Sequence, residues 1–261
     1  MGFIASISPL SVLSGFIVGL LVGLTGVGGG SLMTPLLILV FGTHTSTAVG
    51  TDLLYASITK SVGSIAHGRK QNVDWSIVGK LAAGSIPGAV VTIIVLYLLR
   101  SHGYTSSRPI KIILGVALVL SAAAVMARPL IRLMIDRHAG EGRRWTAAAT
   151  ILAGLILGVL VTISSVGAGA LGMTMLVILY PGVRLVRLVG SDVAHAVPLT
   201  LVGGIGHFFL GDIDWHLLVS LLIGSVPGIT LGSHMSSRLP ERVLRPILAV
   251  ILVIVGIRML L

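Results

Sequence analysis

Gly26-Val27-Gly28-Gly29-Gly30 sits inside an apolar run from about Val12 to Phe41. That run is too long for one untilted crossing, since roughly 20 helical residues cover the hydrocarbon core of a bilayer. Three consecutive glycines hold a helix poorly, at about 1 kcal/mol each relative to alanine. The run therefore reads as two helical pieces joined by an unwound turn. Unwound backbone at membrane depth is tolerated only where protein buries it or where it lines a wet cavity. A glycine turn that opens a short helix also aims free N–H groups at one point, which favours an anion. The turn is expected to be half of a binding site.

The composition agrees with a membrane setting. Only 10% of the 261 residues are charged and 55% are hydrophobic, whereas a soluble domain carries about 25% charge. The chain reads as an all-α polytopic membrane protein with about eight long hydrophobic segments. The net charge of +10 would point to nucleic acid in a soluble protein. Here the basic residues lie mostly between apolar runs, so topology and anionic lipid explain them, and nucleic acid is not an expected partner. The absence of cysteine excludes disulfides, thiolate catalysis and cysteine-ligated metals. No Walker A, H-E-x-x-H or G-x-S-x-G pattern is present. ATP hydrolysis and the common intramembrane hydrolase chemistries are therefore not expected, nor is a metal site or a cofactor.

The second half of the chain repeats the first. Gly15 and Gly19 match Gly154 and Gly158, and Gly28 and Gly30 match Gly167 and Gly169, at an offset of 139. The offset then becomes 140: Gly50-Thr51-Asp52 matches Gly190-Ser191-Asp192, His67 matches His207, and Asp74-Trp75 matches Asp214-Trp215. Gly84-Ser85-Ile86-Pro87-Gly88 likewise matches Gly224-Ser225-Val226-Pro227-Gly228. The divisions are a first repeat over 1–127, a basic cytoplasmic connector over 128–145 and a second repeat over 146–261. Interrupted segments at corresponding positions of two halves are the best sequence pointer to a transporter site.

Loop charge gives the relative orientation. If each glycine-broken run crosses once, the basic loop residues split eight to eight. If each returns to its starting side or crosses twice, twelve of them share one side: Arg69, Lys70, five connector arginines, Arg184, Arg187, Arg238, Arg242 and Arg245. Arg100, Arg108, Lys111 and Arg258 then stand alone on the other side. The positive-inside bias favours the second arrangement. It predicts inverted repeats in the cell inner membrane, with both termini outside and the connector in the cytoplasm.

The motif Gly26-x-Gly28-Gly29-Gly30-x-x-x-x-Pro35, with the duplication and the apolar segments, resembles the sulfite exporter TauE/SafE family, also called toluene sulfonate uptake permeases. The resemblance covers essentially the whole chain. It implies secondary transport of sulfite, organosulfonates or related small anions, coupled to an ion gradient. The second copy departs from the pattern. It reads Ser164-Ser165-Val166-Gly167-Ala168-Gly169, with Thr174 in the place of Pro35, so the two half-sites cannot be chemically equal.

The candidate substrate-binding residues follow from the two breaks. They are Thr25, Gly26, Gly28, Gly29, Gly30 and Ser31 around the first, and Ser164, Ser165, Gly167 and Gly169 around the second. Against each stands plain helix packing. Lys60 lies well inside an apolar span, where a cation is costly; it either attracts the anion, snorkels or pairs with Asp52. Asp52 and Asp192 follow Gly-Thr and Gly-Ser, a setting that fits helix N-caps, or they carry coupling protons together with His195. The leading reading is an ion-coupled secondary carrier working by alternating access. The alternative is an anion channel or a membrane subunit of a larger complex.

Overall fold

The computed structural model describes residues 9–25, 30–103, 108–136, 145–235 and 241–261, and all the regular structure among them is helical. The first half holds α1 (Pro9–Thr25), α2 (Gly30–Leu39), α3 (Thr45–Arg69), α4 (Trp75–Ser101) and α5 (Arg108–Asp136). The second holds α6 (Thr146–Ser164), α7 (Ala170–Leu179), α8 (Leu185–Phe209), α9 (Trp215–Met235) and α10 (Glu241–Leu260). The second break falls where the sequence predicts it, between Ser164 and Ala170; residues 26–29, where the first is expected, lie outside the described residues. Five helical stretches among the described residues are long and apolar enough to cross a membrane: Trp75–Ser101, Arg108–Arg128, Thr146–Ser164, Leu185–Phe209 and Trp215–Gly232. The remaining apolar helices are shorter.

Asp52 and Asp192 are not N-caps. Their helices begin at Thr45 and Leu185, seven residues earlier in each case, so both carboxylates lie in helix interiors. The caps are Asp74 and Asp214, each five residues after the preceding helix ends. Asp74 accepts from the N–H groups of Ser76 and Ile77, and Asp214 accepts from that of Leu217. These bonds satisfy first-turn donors that have no partner inside the helix.

The halves exchange helices. One core gathers Val18 from α1, Met33 and Leu37 from α2, Ala48 and Tyr55 from α3, and Leu217, Leu218 and Leu221 from α9. Its counterpart gathers Leu157 from α6, Met173, Leu176 and Val177 from α7, Leu188 from α8, and Ile77 and Leu81 from α4. Each core thus takes its fourth helix from the opposite half. Small residues make the exchange possible. Gly15 and Gly19 lie against the Leu221 and Ser225 backbone, and Gly154 and Gly158 lie against that of Leu81 and Ser85. A β-carbon at any of these four would overlap main-chain atoms of the facing helix. Such close approach is what small residues provide where lipid supplies no hydrophobic drive between helices.

Contact order fixes helix directions. Along α3, Gly50, Leu53, Gly63 and His67 meet His207, Gly203, Val193 and Gly190 of α8 in descending order, so these helices are antiparallel. Gly15 with Leu221 and Gly19 with Ser225 make α1 parallel to α9. Gly84 with Ile151 and Gly88 with Leu155 make α4 parallel to α6. Ser85 with His195 and Ile93 with Gly206 make α4 parallel to α8 as well. Gly115 packs on Leu260 while Val119 packs on Gly256, so α5 and α10 are antiparallel. Thr150 near the start of α6 is bonded to the Tyr180 hydroxyl just past the end of α7, at 2.8 Å. The second broken run therefore folds back on itself.

Reciprocal bonds close the two ends of the bundle. The Asp74 N–H donates to Ser191 Oγ at 2.8 Å, and the Asp214 N–H donates to Thr51 Oγ1 at 3.0 Å. Arg187 pairs with Asp74 at 3.4 Å at one end. At the other, Asp212 gathers Arg100 at 3.1 Å, Ser46 at 3.0 Å and His207 Nδ1 at 3.5 Å. Burial alone would raise the Asp212 pKa. The His207 and Ser46 hydrogen bonds and the His207 and Arg100 charges more than offset that, and hold the carboxyl below its usual range. A depressed carboxylate contributes stability above its unfolded pKa and loses it as pH falls through the folded one. Asp212→Asn is expected to destabilise the protein by about 1–3 kcal/mol at neutral pH. In thermal melts the gap should begin to narrow as pH falls below about 4 and go on narrowing toward the depressed folded value; a gap that does not change with pH over that range would show the carboxylate's charge to be irrelevant.

Candidate transport site

Where the two cores meet, polar groups from both halves converge. Asp52 and Lys60 come from α3, Asp192 and His195 from α8, Ser165 from the second break, Ser85 from α4 and Arg128 from α5. Asp52, Lys60, Asp192 and His195 are at most 6% exposed. Charged side chains at such depth are rare and mark ion or substrate paths.

The repeat-equivalent aspartates have different surroundings. Thr34 donates both its backbone N–H, at 3.1 Å, and its hydroxyl to Asp52 Oδ2. The Ser165 hydroxyl faces the same carboxyl. The two short helices, Gly30–Leu39 and Ala170–Leu179, are 140 residues apart, so Thr174 stands in the place of Thr34 and not of Pro35 as the glycine offset suggested; it does not reach Asp192. It takes a bond from Arg128 Nε at 3.2 Å and donates to the Ala170 carbonyl at 2.8 Å. Asp192 Oδ1 is buried without a hydrogen-bond partner, and the α7 backbone at Gly172 presses against it so closely that a β-carbon there would overlap the oxygen.

Lys60 has no hydrogen bond or ion pair within 4 Å among the described residues. Its charge interacts with those of Asp192 and Asp52. The snorkelling and Asp52-pairing readings of Lys60 both give way: the side chain stays inside, and Asp52 Oδ2 is bonded to Thr34 instead. A duplicated motif joins the halves here. The Tyr55 hydroxyl faces Ser225, and the residue 140 positions later, His195, bonds Ser85 through Nε2 at 2.8 Å.

The second break is described in full. Ser164 Oγ donates to the Leu160 carbonyl at 2.6 Å and accepts from the Val166 N–H at 3.2 Å, so it finishes the end of α6. Ser165 is left-handed, with φ 56°, and its hydroxyl makes no complete hydrogen bond. Gly167 has φ 113°, which only glycine adopts readily. Its carbonyl accepts from Leu171 and Gly172 and starts α7. Arg128 donates to the Gly169 and Ala170 carbonyls at 2.8 and 2.9 Å. The positive end of α7, the Arg128 guanidinium and the Lys60 ammonium thus lie around one region that includes Asp192.

Of the first break, Gly26, Gly28 and Gly29 lie outside the described residues. Only the helical backbone of Thr25, Gly30 and Ser31 is described. The structure therefore brings together Ser165, Gly169, Lys60, Asp52, Asp192 and His195, uses Gly167 to start α7, and turns Ser164 to helix capping. Arg128 was missed because it opens a run of basic residues that reads as connector. It sits inside α5, buried. The apolar residues that follow it, Pro129-Leu130-Ile131 and Leu133-Met134, are the signal that the helix continues.

The comparisons with known proteins agree with this setting. The profile of the sulfite exporter TauE/SafE family matches residues 11–259. The chain is 40% identical over 256 residues to "Probable membrane transporter protein YjnA" of Bacillus subtilis, covering 95% of this chain and 98% of that protein. It is 28% identical over 259 residues to "Probable membrane transporter protein YdhB" of the same organism, covering 96% and 99%. A "Probable membrane transporter protein" of Methanocaldococcus jannaschii is 27% identical over 272 residues, covering 97% and 95%. No solved structure matches the chain at a significant level. With its several apolar helices this is a multi-pass membrane protein, and the chain belongs to the sulfite exporter TauE/SafE family.

Proposed function

We propose that the protein is an ion-coupled secondary transporter of a small sulfur-containing anion, of the sulfite or organosulfonate class, across the cytoplasmic membrane. The observation that carries this reading is Lys60: a buried cation without a hydrogen bond among the described residues, near the second break, where α7 starts with no side-chain cap. The family's name supplies the sulfur chemistry, and its relatives carry transporter names.

The two repeats work as inverted halves that move against each other. Antiparallel pairing of the equivalent helices α3 with α8 and α5 with α10 supports this, as do the opposite directions of α1 and α6. Arg69, Lys70, Arg184 and Arg187 gather at the bundle end that holds the Arg187–Asp74 pair. That end is the cytoplasmic one by charge, which leaves Arg100 and Asp212 outside with both termini. Alternating access then presents one site, near the midplane, to each side in turn. The first glycine turn, Thr25 to Ser31, is taken to complete the seat with its amide groups.

The test is uptake into liposomes from a panel of sulfite, thiosulfate, methanesulfonate and p-toluenesulfonate. Saturable uptake that is accelerated by the same anion on the far side identifies a carrier. Flux that rises linearly with concentration identifies a pore, and no flux for any member removes the reading. Gly28→Trp is expected to abolish uptake while folded protein remains in the membrane.

A further inference from the structure

We propose that Asp192 and Lys60 form the coupling pair of the transporter: a proton on Asp192 accompanies each anion seated on Lys60. The inference rests on the transport reading above and deepens it by naming the coupling ion and its carrier.

Charge balance leads there. Four ionisable groups of fixed or near-fixed sign share the buried centre: Lys60 and Arg128, Asp52 and Asp192. With all four ionised the cluster is neutral. A univalent anion entering it would leave one uncompensated negative charge in the membrane interior, which is costly. One proton removes that cost.

One carboxyl in the cluster is better placed than the other to take the proton. Asp52 Oδ1 is buried with no hydrogen-bond partner among the described residues, but Oδ2 accepts two bonds from Thr34, which favour the ionised form. Arg128 is engaged by Thr174 and the Gly169 and Ala170 carbonyls, and a guanidinium does not lose its proton. His195 is bonded to Ser85 through Nε2, and Nδ1 meets no acceptor among the described residues. Tyr55 turns its hydroxyl to Ser225. Asp192 makes no hydrogen bond among the described residues, and its foremost charged neighbour is Lys60.

Competition follows from this arrangement. While Asp192 is ionised it neutralises Lys60 and holds the anion off. Once protonated it releases Lys60 to the anion. Gly172 presses the α7 backbone onto the same carboxyl, so the proton and the anion are both sensed at the start of the broken helix. The process is electroneutral for a univalent anion and one proton.

The experiment uses the full chain in liposomes with a pH gradient and no initial anion gradient. Methanesulfonate, p-toluenesulfonate and thiosulfate are the probes, because their charges do not change over about pH 5–8. The wild-type protein should accumulate a univalent sulfonate about tenfold on the alkaline side per pH unit, the ratio one coupled proton sets. Thiosulfate carries two charges, so with one proton its movement is electrogenic, and the same ratio is expected for it only with the membrane potential clamped at zero by potassium and valinomycin.

Asp192→Asn should abolish gradient-driven accumulation, bringing the ratio to about 1, while exchange of labelled for unlabelled anion persists. Asp192→Glu should restore the drive, and it covers the case in which the asparagine variant fails to fold. Asp214→Asn, which keeps a capping side chain and lies outside the buried centre, should keep the pH gradient as a driving force. Carriage by the wild-type protein with no accumulation, or accumulation by Asp192→Asn, overturns the coupling pair and leaves the transport reading standing. Carriage of no anion at all overturns both.

Discussion

Lys60→Gln is expected to lower anion uptake by about 100-fold or more, the scale set by removing one member of a buried charge contact. The reason is position. Lys60 is 6% exposed, makes no hydrogen bond among the described residues and interacts with two carboxylates from different halves. Glutamine keeps the length and polarity but cannot balance an incoming negative charge. It also leaves Asp192 without its main counter-charge, so some loss of thermal stability should accompany the loss of uptake. Lys60→Arg keeps the charge and should retain part of the activity, since a wider guanidinium fits less well than an ammonium. Uptake by Lys60→Gln within about threefold of wild type would mean the transition between states does not use this charge.

The second large effect is structural. Gly154→Leu should prevent assembly of the fold. The α-carbon of Gly154 lies against the Leu81 backbone, and a β-carbon would overlap its carbonyl oxygen. Overpacking costs about 1–3 kcal/mol even when neighbouring side chains can shift. Here the obstacle is main chain, so α4 and α6 must separate and carry the core of Leu81, Leu157 and Met173 with them. The expected result is loss of the folded peak in detergent. Gly79→Ala, on the same α4 helix at a position where a β-carbon meets open space, should behave as wild type. A folded Gly154→Leu protein with normal melting would contradict the proposed helix exchange.

Much of this was legible in the residues. The four-residue spacing of Gly15 and Gly19, copied at Gly154 and Gly158, marks close helix contact, and all four make it. Ser-Ser-Val-Gly-Ala-Gly marks the second break. The duplication locates Asp52 opposite Asp192. What stayed hidden is which helix each glycine face meets. Periodicity shows that a face is small but not whose backbone fills it, so the exchange of α4 and α9 between halves leaves no local trace. Gly-Thr-Asp resembles a cap because the capping preference is local, yet the helix began seven residues earlier. Arg128 was obscured by the basic run behind it. The unequal bonding of Thr34 and Thr174 could not be read either, because both are threonines at equivalent positions and only the presence of Arg128 distinguishes them.

Side-chain accessibility is the most direct test of a wet anion seat at the meeting of the two halves. The chain has no cysteine, so a single Ser165→Cys substitution can be labelled alone with a membrane-impermeant sulfonatoethyl thiosulfonate, itself a small sulfonate. The account predicts labelling from water, slowed by whichever anion the protein carries and weakened further in the Lys60→Gln background. A thiol that stays unreactive from both sides, or one that reacts equally fast with and without the anion, would contradict it.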